Sequence, residues 1–333
     1  MLFSDLNLFK TQLLDSIHLA QNITIITHKN PDGDGLAACL ALKFLISKLF
    51  SKNSTILLEK KAPDFLSFLD VYNQTIYESN SLSTDLLICL DCHEIGRTNL
   101  SPDLFSNTAN HFYIDHHEII QKAVNSDYNY YIDTEEVSTG IILHKIFSDL
   151  LSSLDYTSKK YYADCIYTTI LNDTDNFLNS NVDKHSYQIC AELMDFGLVP
   201  NKVIMDFMLK KPMNYYKFIG NVMSTLESFN DGQIVFLHST MKMLDELGLD
   251  QDATSKMMRW TKGIEEAKLQ VYFQEHSPDV FRLSFRSDFY DVSEFAKKFH
   301  GGGHKRAAGC EINADLDSVK KLILYNLKDL LPL

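Results

Sequence analysis

The sequence predicts an α/β fold, with a mainly parallel sheet and flanking helices followed by a smaller α/β domain. Three observations predict it. Short apolar runs alternate with helical-period segments through the first half of the chain, and the pattern then gives way to helices before restarting as strands near residue 230. At 333 residues the chain also exceeds the size that one core serves comfortably.

The strands come first. "NITIIT" (22–27), "STILLE" (54–59), "LLICLD" (86–91) and "HFYID" (111–115) read as short buried strands, the last three bounded by Ser, Asn or Asp clusters. Helical patterns occupy about 36–50, 138–152, 159–171 and 184–196. After "MDFGLVPNKV" (194–203) helices dominate, and "GQIVFLHS", "KLQVYFQE" and "VFRLSFRS" then restart a sheet. The expected organisation is a first domain over 1–200, a helical linker over 201–230 and a second domain over 231–333.

Composition sets the class. With 45% hydrophobic and 23% charged residues the chain is ordinary for a globular protein. The longest apolar run, "LAACLALKFLISKLF" (36–50), is interrupted by Lys43 and Lys48 and is too short to span a bilayer. No basic start followed by an apolar stretch marks an export signal, so a soluble cytoplasmic protein is expected. The cysteines at 39, 89, 92, 165, 190 and 310 lack disulfide-scaffold spacing, and the lone Cys89–Cys92 pair on an apolar strand reads as packing. A net charge of −13 argues against a surface that tracks long nucleic acid. Residues 231–333 carry 16 acidic and 14 basic side chains against 28 and 17 in the first 230, so the acidity sits in the first half.

That half holds "THKNPDGDG" (27–35). Pro31 prevents a central strand from continuing, so the chain must turn at the strand's carboxyl end, where open α/β sheets bind ligands. Gly33 and Gly35 permit a tight backbone that aims Asp32 and Asp34 at one point; the competing role is for Asp34 to cap the helix that follows. "LLICLD" ends on Asp91 and "HFYIDHH" on Asp115, His116 and His117, so three strands deliver acids or histidines at one end. Asp173 follows an apolar helical run, with Asp164 and Asp175 as neighbouring acids. Carboxylates gathered so closely cannot all ionise alone. Two divalent cations resolve the conflict, and mixed imidazole and carboxylate donors suit Mn²⁺ best, ahead of Fe²⁺, Co²⁺ or Zn²⁺.

"HKNPDGD" (28–34), Asp91, "DHH" (115–117) and "NDTDNF" (172–177), in this order, resemble the four motifs of the DHH phosphoesterase superfamily. "RSDFYDVSEFAKKFHGGGHKRAAGC" (286–310) resembles the signature of the DHHA1 substrate domain. The resemblance implies one metal held by His28, Asp32, Asp91 and Asp173. It implies a second held by Asp34, Asp91, His116 and Asp173, with His117 against the scissile phosphate. Asp91, Asp173 and His117 are thus the expected catalytic residues, in a cleft between the domains. Ala37 and Ala38 stand where many stand-alone members have Gly-Ser, and "DGDGLAA" is closer to RecJ-like exonucleases.

Gly301, Gly302 and Gly303 offer a bare backbone that can approach an anion, with His304 following and Arg286 ending a strand. Arginine can clamp a phosphate with two parallel donors. The DHHA1 resemblance implies that this loop holds the distal part of a nucleotide, and Arg97 is a further candidate facing it. The implied activity is hydrolysis of short oligoribonucleotides, of dinucleotides such as pApA, or of 3′-phosphoadenosine 5′-phosphate (pAp), with a homodimer as the candidate assembly. The competing readings are a soluble cyclic di-AMP phosphodiesterase, a RecJ-like exonuclease, and a nucleotide-binding sensor without turnover.

Overall fold

The computed structural model describes residues 1–77, 82–98, 100–255 and 257–327. The chain forms two compact units, Met1–Lys210 and Lys211–Leu333. The segment expected as a linker, 201–230, is divided between them. Helix Met213–Met223 buries Phe218, Ile219 and Val222 against Leu237, Leu244, Met257 and Tyr272, which makes it a layer of the second unit.

The first unit contains seven strands: β1 Leu2–Phe3, β2 Ile23–Ile26, β3 Ser54–Leu58, β4 Thr75–Tyr77, β5 Leu86–Leu90, β6 Asn110–Asp115 and β7 Asn129–Ile132. Their order is β1-β7-β6-β5-β2-β3-β4, and every pairing is parallel. A parallel sheet is covered on both faces, so its strands are apolar throughout rather than alternating. Every residue of β2 and β5 is buried, which is why the sequence marked them.

Chain order reverses between β2 and β5: β3 and β4 lie on one side, β6 and β7 on the other. Such a switch point leaves a crevice at the carboxyl ends of the two strands. His28 follows β2 and Asp91 follows β5.

The helical expectations fall within helices Gly33–Phe50, Thr139–Phe147 with its tighter continuation to Ser153, Tyr156–Asp173 and Lys184–Asp195. The first three share one large core on one face of the sheet. The other face carries a second apolar layer with Cys89, Cys92, Phe105, Tyr113 and Tyr130, and all six cysteines are free. Strands β1, β4 and β7 and the helix Leu6–Leu19 were not anticipated. That helix buries Phe9, Leu13 and Ile17, four residues apart, and Asp5 caps it through Asn7 N at 2.8 Å.

The second unit is a mixed sheet of β8 Glu227–Phe229, β9 Ile234–Ser239, β10 Leu269–Ser277, β11 Val280–Arg286, β12 Gly302–His304 and β13 Ala307–Asn313. Its order is β12-β13-β11-β10-β9-β8, with only β9 and β10 parallel. One face packs Phe236, Phe273, Phe285 and Phe295 with Val319 and Ile323 of helix Leu316–Leu327. Among the described residues no helix is long and apolar enough to cross a membrane.

Candidate metal centre

Pro31 ends the run from β2, and Asn30 takes a left-handed φ of 52° to turn the chain. Helix Gly33–Phe50 then begins, and the capping residue is Asp32 rather than Asp34: its Oδ1 accepts from Asp34 N at 3.0 Å and Gly35 N at 3.2 Å. Asp34, in the first turn, is fully buried and serves another helix. Its carboxylate accepts from Thr139 N at 2.8 Å and Gly140 N at 3.2 Å, the first amides of helix Thr139–Phe147, where unpaired donors favour an anion.

The glycines act differently from the expectation. Neither Gly33 nor Gly35 is among the positive-φ residues. Instead each lies where a side chain has no room. A Cβ on Gly33 would sit 2.5 Å from Phe207 Cζ, and one on Gly35 would sit 2.3 Å from Thr27 Oγ1 and 3.1 Å from Asp91 Oδ2.

Asp91 leaves β5 in the left-handed region, φ 59°, which aspartate tolerates better than most residues. It is buried, and its Oδ1 accepts from Thr139 Oγ1 at 3.4 Å. Asp173 is the last residue of helix Tyr156–Asp173. Asn179 and Asn181 donate to its carbonyl, and Asn172 donates to its Oδ1 at 2.7 Å. Asn172 Oδ1 also accepts from Gly33 N at 3.2 Å, so one amide ties the end of this helix to the loop after β2.

The histidines complete the cluster. His28 Nδ1–H donates to the Lys29 carbonyl at 2.8 Å, which turns Nε2 toward Asp91 Oδ2 at 3.3 Å and Asp32 Oδ1 at 3.8 Å. His116 Nδ1–H donates to the Glu136 carbonyl at 3.2 Å, and its Nε2 lies 3.0 Å from Asp173 Oδ2, 3.6 Å from Asp91 Oδ1 and 3.7 Å from Asp34 Oδ2. Among the described residues this buried Nε2 has no hydrogen-bond partner.

Two neutral imidazole lone pairs therefore face carboxylate oxygens, an arrangement that repels unless something positive lies between. In the metal-free protein that role falls to protons. Burial opposes a charge on His28, but the hydrogen bonds its protonated ring donates to Asp32 and Asp91 outweigh burial and push the ring up to about 10. Burial is likewise outweighed at His116, where Asp173 and Asp91 raise the ring to about 9. Burial and then the charges of Asp91, Asp173 and Asp32 lift Asp34 well above the usual carboxylate range. Burial raises Asp91 to about 6 against its hydrogen bond to His28.

Cations can take the place of those protons. His28, Asp32 and Asp91 have donor atoms within 4.8 Å of one another, as do Asp34, His116 and Asp173. Anchoring one ring nitrogen on a backbone carbonyl and presenting the other is how proteins orient histidine for metal. A third compact group joins Asp91 and His116 to His117, but His117 Nδ1–H donates to Asp115 Oδ1 at 2.8 Å, so that ring has only Nε2 to offer. Asp164 pairs with Lys160 at 2.7 Å, and Asp164 and Asp175 join none of these groups among the described residues.

The DHH family's N-terminal domain matches residues 22–170, and the DHHA1 domain matches residues 231–329. The chain belongs to the DHH family. This DHH protein is 24% identical over 324 residues to the bifunctional oligoribonuclease and PAP phosphatase NrnA of Mycoplasma genitalium, covering 95% of this chain and 98% of that one. It is 26% identical to the NrnA of Thermus thermophilus, covering 92% and 89%. In fold it resembles an exopolyphosphatase-related protein from Bacteroides fragilis, with a TM-score of 0.85 and 20% identity over 97% of both chains. RecJ from Thermus thermophilus matches with a TM-score of 0.51 and 12% identity, over 97% of this chain and 54% of RecJ.

In the DHHA1 part, the glycine stretch is not the open loop expected. Gly302–His304 is strand β12 of a hairpin, pairing Gly302 with Gly309, Gly303 with Ala308 and His304 with Ala307. A Cβ on Gly301 would sit 2.2 Å from the Gly309 carbonyl, and Gly303 has φ 139° with the Ala307 carbonyl 2.6 Å from any Cβ. Both glycines serve close backbone approach; Gly302 alone of the three faces open space. Arg286 pairs with Ala307 across β13, so Arg286 and His304 flank one residue in a single row and share a face, roughly 10 Å apart. Arg286 is exposed, with Nη1 donating to the Phe285 carbonyl at 2.9 Å.

Arg97 ends a short turn after β5, and its carbonyl accepts from Lys29 N at 2.6 Å, tying that turn to the loop of His28. Sequence reasoning missed His93, Thr139 and Asn172. His93 had a visible signal, an imidazole two residues after Asp91, and Asn172 had another, an amide beside Asp173 within the fourth motif; Thr139 had none, since its partner Asp34 is 105 residues away in the chain.

Proposed function

We propose that this DHH protein is a two-metal phosphodiesterase that hydrolyses short oligoribonucleotides and dinucleotides such as pApA to mononucleotides, and also acts on pAp. The observation that carries the reading is the pair of anchored histidines, His28 and His116, whose Nε2 atoms face four converging carboxylates. His28, Asp32, Asp91 and Asp173 hold one cation; Asp34, Asp91, His116 and Asp173 hold the other, with Mn²⁺ the metal best suited to this donor set. Bound divalent ions supply Lewis-acid polarisation of the phosphoryl group and a water nucleophile usable at neutral pH.

The protein's own groups do the rest. Asp91 and Asp173 are shared between the two sets. Asn172 holds Asp173 while Thr139 holds Asp34 and Asp91, so the carboxylates are preorganised before substrate arrives. His117 presents Nε2 to the scissile phosphate. Arg286, His304 and the backbone of Gly301, Gly302 and Gly303 bind the terminal phosphate, and Arg97 supplies a further cation. NrnA relatives along nearly the whole chain support the substrate class.

The test is turnover by purified protein with Mn²⁺ of pApA, pAp, cyclic di-AMP and RNA of two to twenty-four nucleotides, compared by kcat/KM. The proposal expects pApA and the shortest RNAs to lead. Preference for cyclic di-AMP selects the cyclic dinucleotide reading, equal rates on twenty-four-mers select the RecJ-like one, and binding without turnover selects the sensor.

A further inference from the structure

His93 stands outside the metal set, yet it belongs to a chain of hydrogen bonds that ends at the ring facing the substrate. It is buried, two residues beyond Asp91. The backbone N–H of Ile120 donates to its Nε2 at 3.2 Å, so that nitrogen carries a lone pair and the proton resides on Nδ1. His93 Nδ1–H then donates to Asp115 Oδ2 at 2.5 Å. The other carboxylate oxygen, Oδ1, accepts from His117 Nδ1 at 2.8 Å and from the backbone amides of His116 at 2.8 Å and His117 at 3.2 Å.

Asp115 is fully buried, and among the described residues Oδ2 has no hydrogen bond besides the one from His93. The carboxylate is therefore held at both ends. Four donors, two of them backbone N–H groups, converge on its two oxygens. An ionised Asp115 accepts at every contact and fixes His117 with its proton on Nδ1.

His117 needs such a fixture. Its side chain is about a third exposed, it sits beyond the end of β6, and the ring torsion of histidine is broad and roughly two-fold. Without a firm partner the ring turns over and exchanges the positions of its nitrogens and carbons. Removing His93 leaves Oδ2 of a buried carboxylate without its donor. The carboxylate then rotates to recover one, at the expense of Oδ1 and so of His117.

We propose that His93 is a positioning residue. Through Asp115 it fixes the tautomer and ring orientation of His117, and it contacts neither substrate nor metal. The kinetic part of this inference rests on the phosphodiesterase reading above; the spectroscopic part does not.

The experiment compares wild type with His93→Leu, which removes the donor, and His93→Asn, whose amide nitrogen takes nearly the position of Nδ1. Long-range ¹H–¹⁵N spectra of the Mg²⁺-loaded proteins at pH 8.5 report which ring nitrogen of each histidine is protonated. In wild type His93 and His117 should both be Nδ1–H. In His93→Leu, His117 should become a mixture of tautomers, and in His93→Asn it should remain Nδ1–H.

With Mn²⁺ and pApA, His93→Leu should lose about 10- to 100-fold in kcat, as losses of partners behind active-site groups do, with KM and metal stoichiometry unchanged. His93→Asn should recover most of that loss. Three results overturn the proposal: His93 protonated on Nε2 in wild type, a leucine variant with normal kcat and a single His117 tautomer, or an asparagine variant as impaired as the leucine one. The first is measured on wild type, so it decides even if His93→Leu does not fold. If wild type turns over no substrate, the function proposal falls and the spectra still judge His93.

Discussion

Gly35 offers the sharpest mechanical test of how the metal loop is packed. In Gly35→Ala the new Cβ lies 2.3 Å from Thr27 Oγ1, closer than real Cβ contacts come, and 3.1 Å from Asp91 Oδ2. Thr27 is buried, and because it is β-branched, two of its three χ1 rotamers keep a heavy atom at the contact, which leaves little freedom to clear it. Overpacking of this kind costs about 1–3 kcal/mol, against which alanine returns up to about 1 kcal/mol in helix propensity. The net loss lies between about 0 and 3 kcal/mol, about 1.5 kcal/mol at mid-range, which lowers the melting temperature by roughly 3–6 °C for a unit of this size. The strain is also directed at Asp91, so metal affinity should fall about 10-fold or more. Two controls isolate the cause. Gly302→Ala, where nothing lies within 4 Å, should melt as wild type does. Thr27→Ala combined with Gly35→Ala should recover stability beyond the sum of the single changes, since the two residues touch. Thermal melts and metal titrations read wild type and the four variants, Thr27→Ala alone included. A Gly35→Ala protein that melts within 1 °C of wild type and binds metal fully would refute the packing argument.

Other outcomes follow from the same geometry. His28 and His116, raised to about 10 and about 9, contribute stability to the metal-free protein that is complete below the unfolded value near 6.5 and lost as pH rises through 9 to 10. Melting temperatures of chelated protein should therefore fall between pH 7 and 10 while the loaded form holds, and calorimetry in buffers of different ionisation enthalpy should show about two or more protons released on metal binding at pH 7.5. His116→Ala should lose metal, while His117→Ala should keep it and lose rate; equal metal loss in both erases the distinction between the two rings. Arg286→Lys keeps the charge and loses the paired donors, so kcat/KM for pApA should fall by about 1–3 kcal/mol and that for unphosphorylated ApA far less. An equal penalty on both substrates refutes a grip on the terminal phosphate.

How much of this was legible depends on the distance over which the information acts. Buried parallel strands declare themselves locally, as continuous apolar runs, and their last residues are the ones a switch point gathers; β2, β5 and β6 with His28, Asp91 and His116 were read that way. Capping is also local, yet the sequence offered it only as a competing role for Asp34, because Asp32 and Asp34 satisfy the same rule and only the helix start at Gly33 separates them. The partner of Asp34, the N-terminus of helix Thr139–Phe147, lies 105 residues away and leaves no mark on the motif. The glycines were overread. A triplet such as Gly301–Gly302–Gly303 suggests an open anion cradle, but two of its members are glycine because strand β13 presses against them.

That distinction bears on the phosphate grip proposed for the DHHA1 part. If the glycines served only to expose amides, an alanine anywhere in the triplet would weaken binding and leave the fold unchanged. The hairpin makes the three positions unequal. Alanine at 301 meets the Gly309 carbonyl at 2.2 Å, and alanine at 303 meets the Ala307 carbonyl at 2.6 Å with an unfavourable φ, so both should shift β12 against β13 and carry His304 out of the row it shares with Arg286. Alanine at 302 meets nothing and leaves that row in place. The hairpin therefore places the arginine–histidine row before any ligand binds, and the proposed phosphate grip would draw on side chains held in register more than on bare backbone.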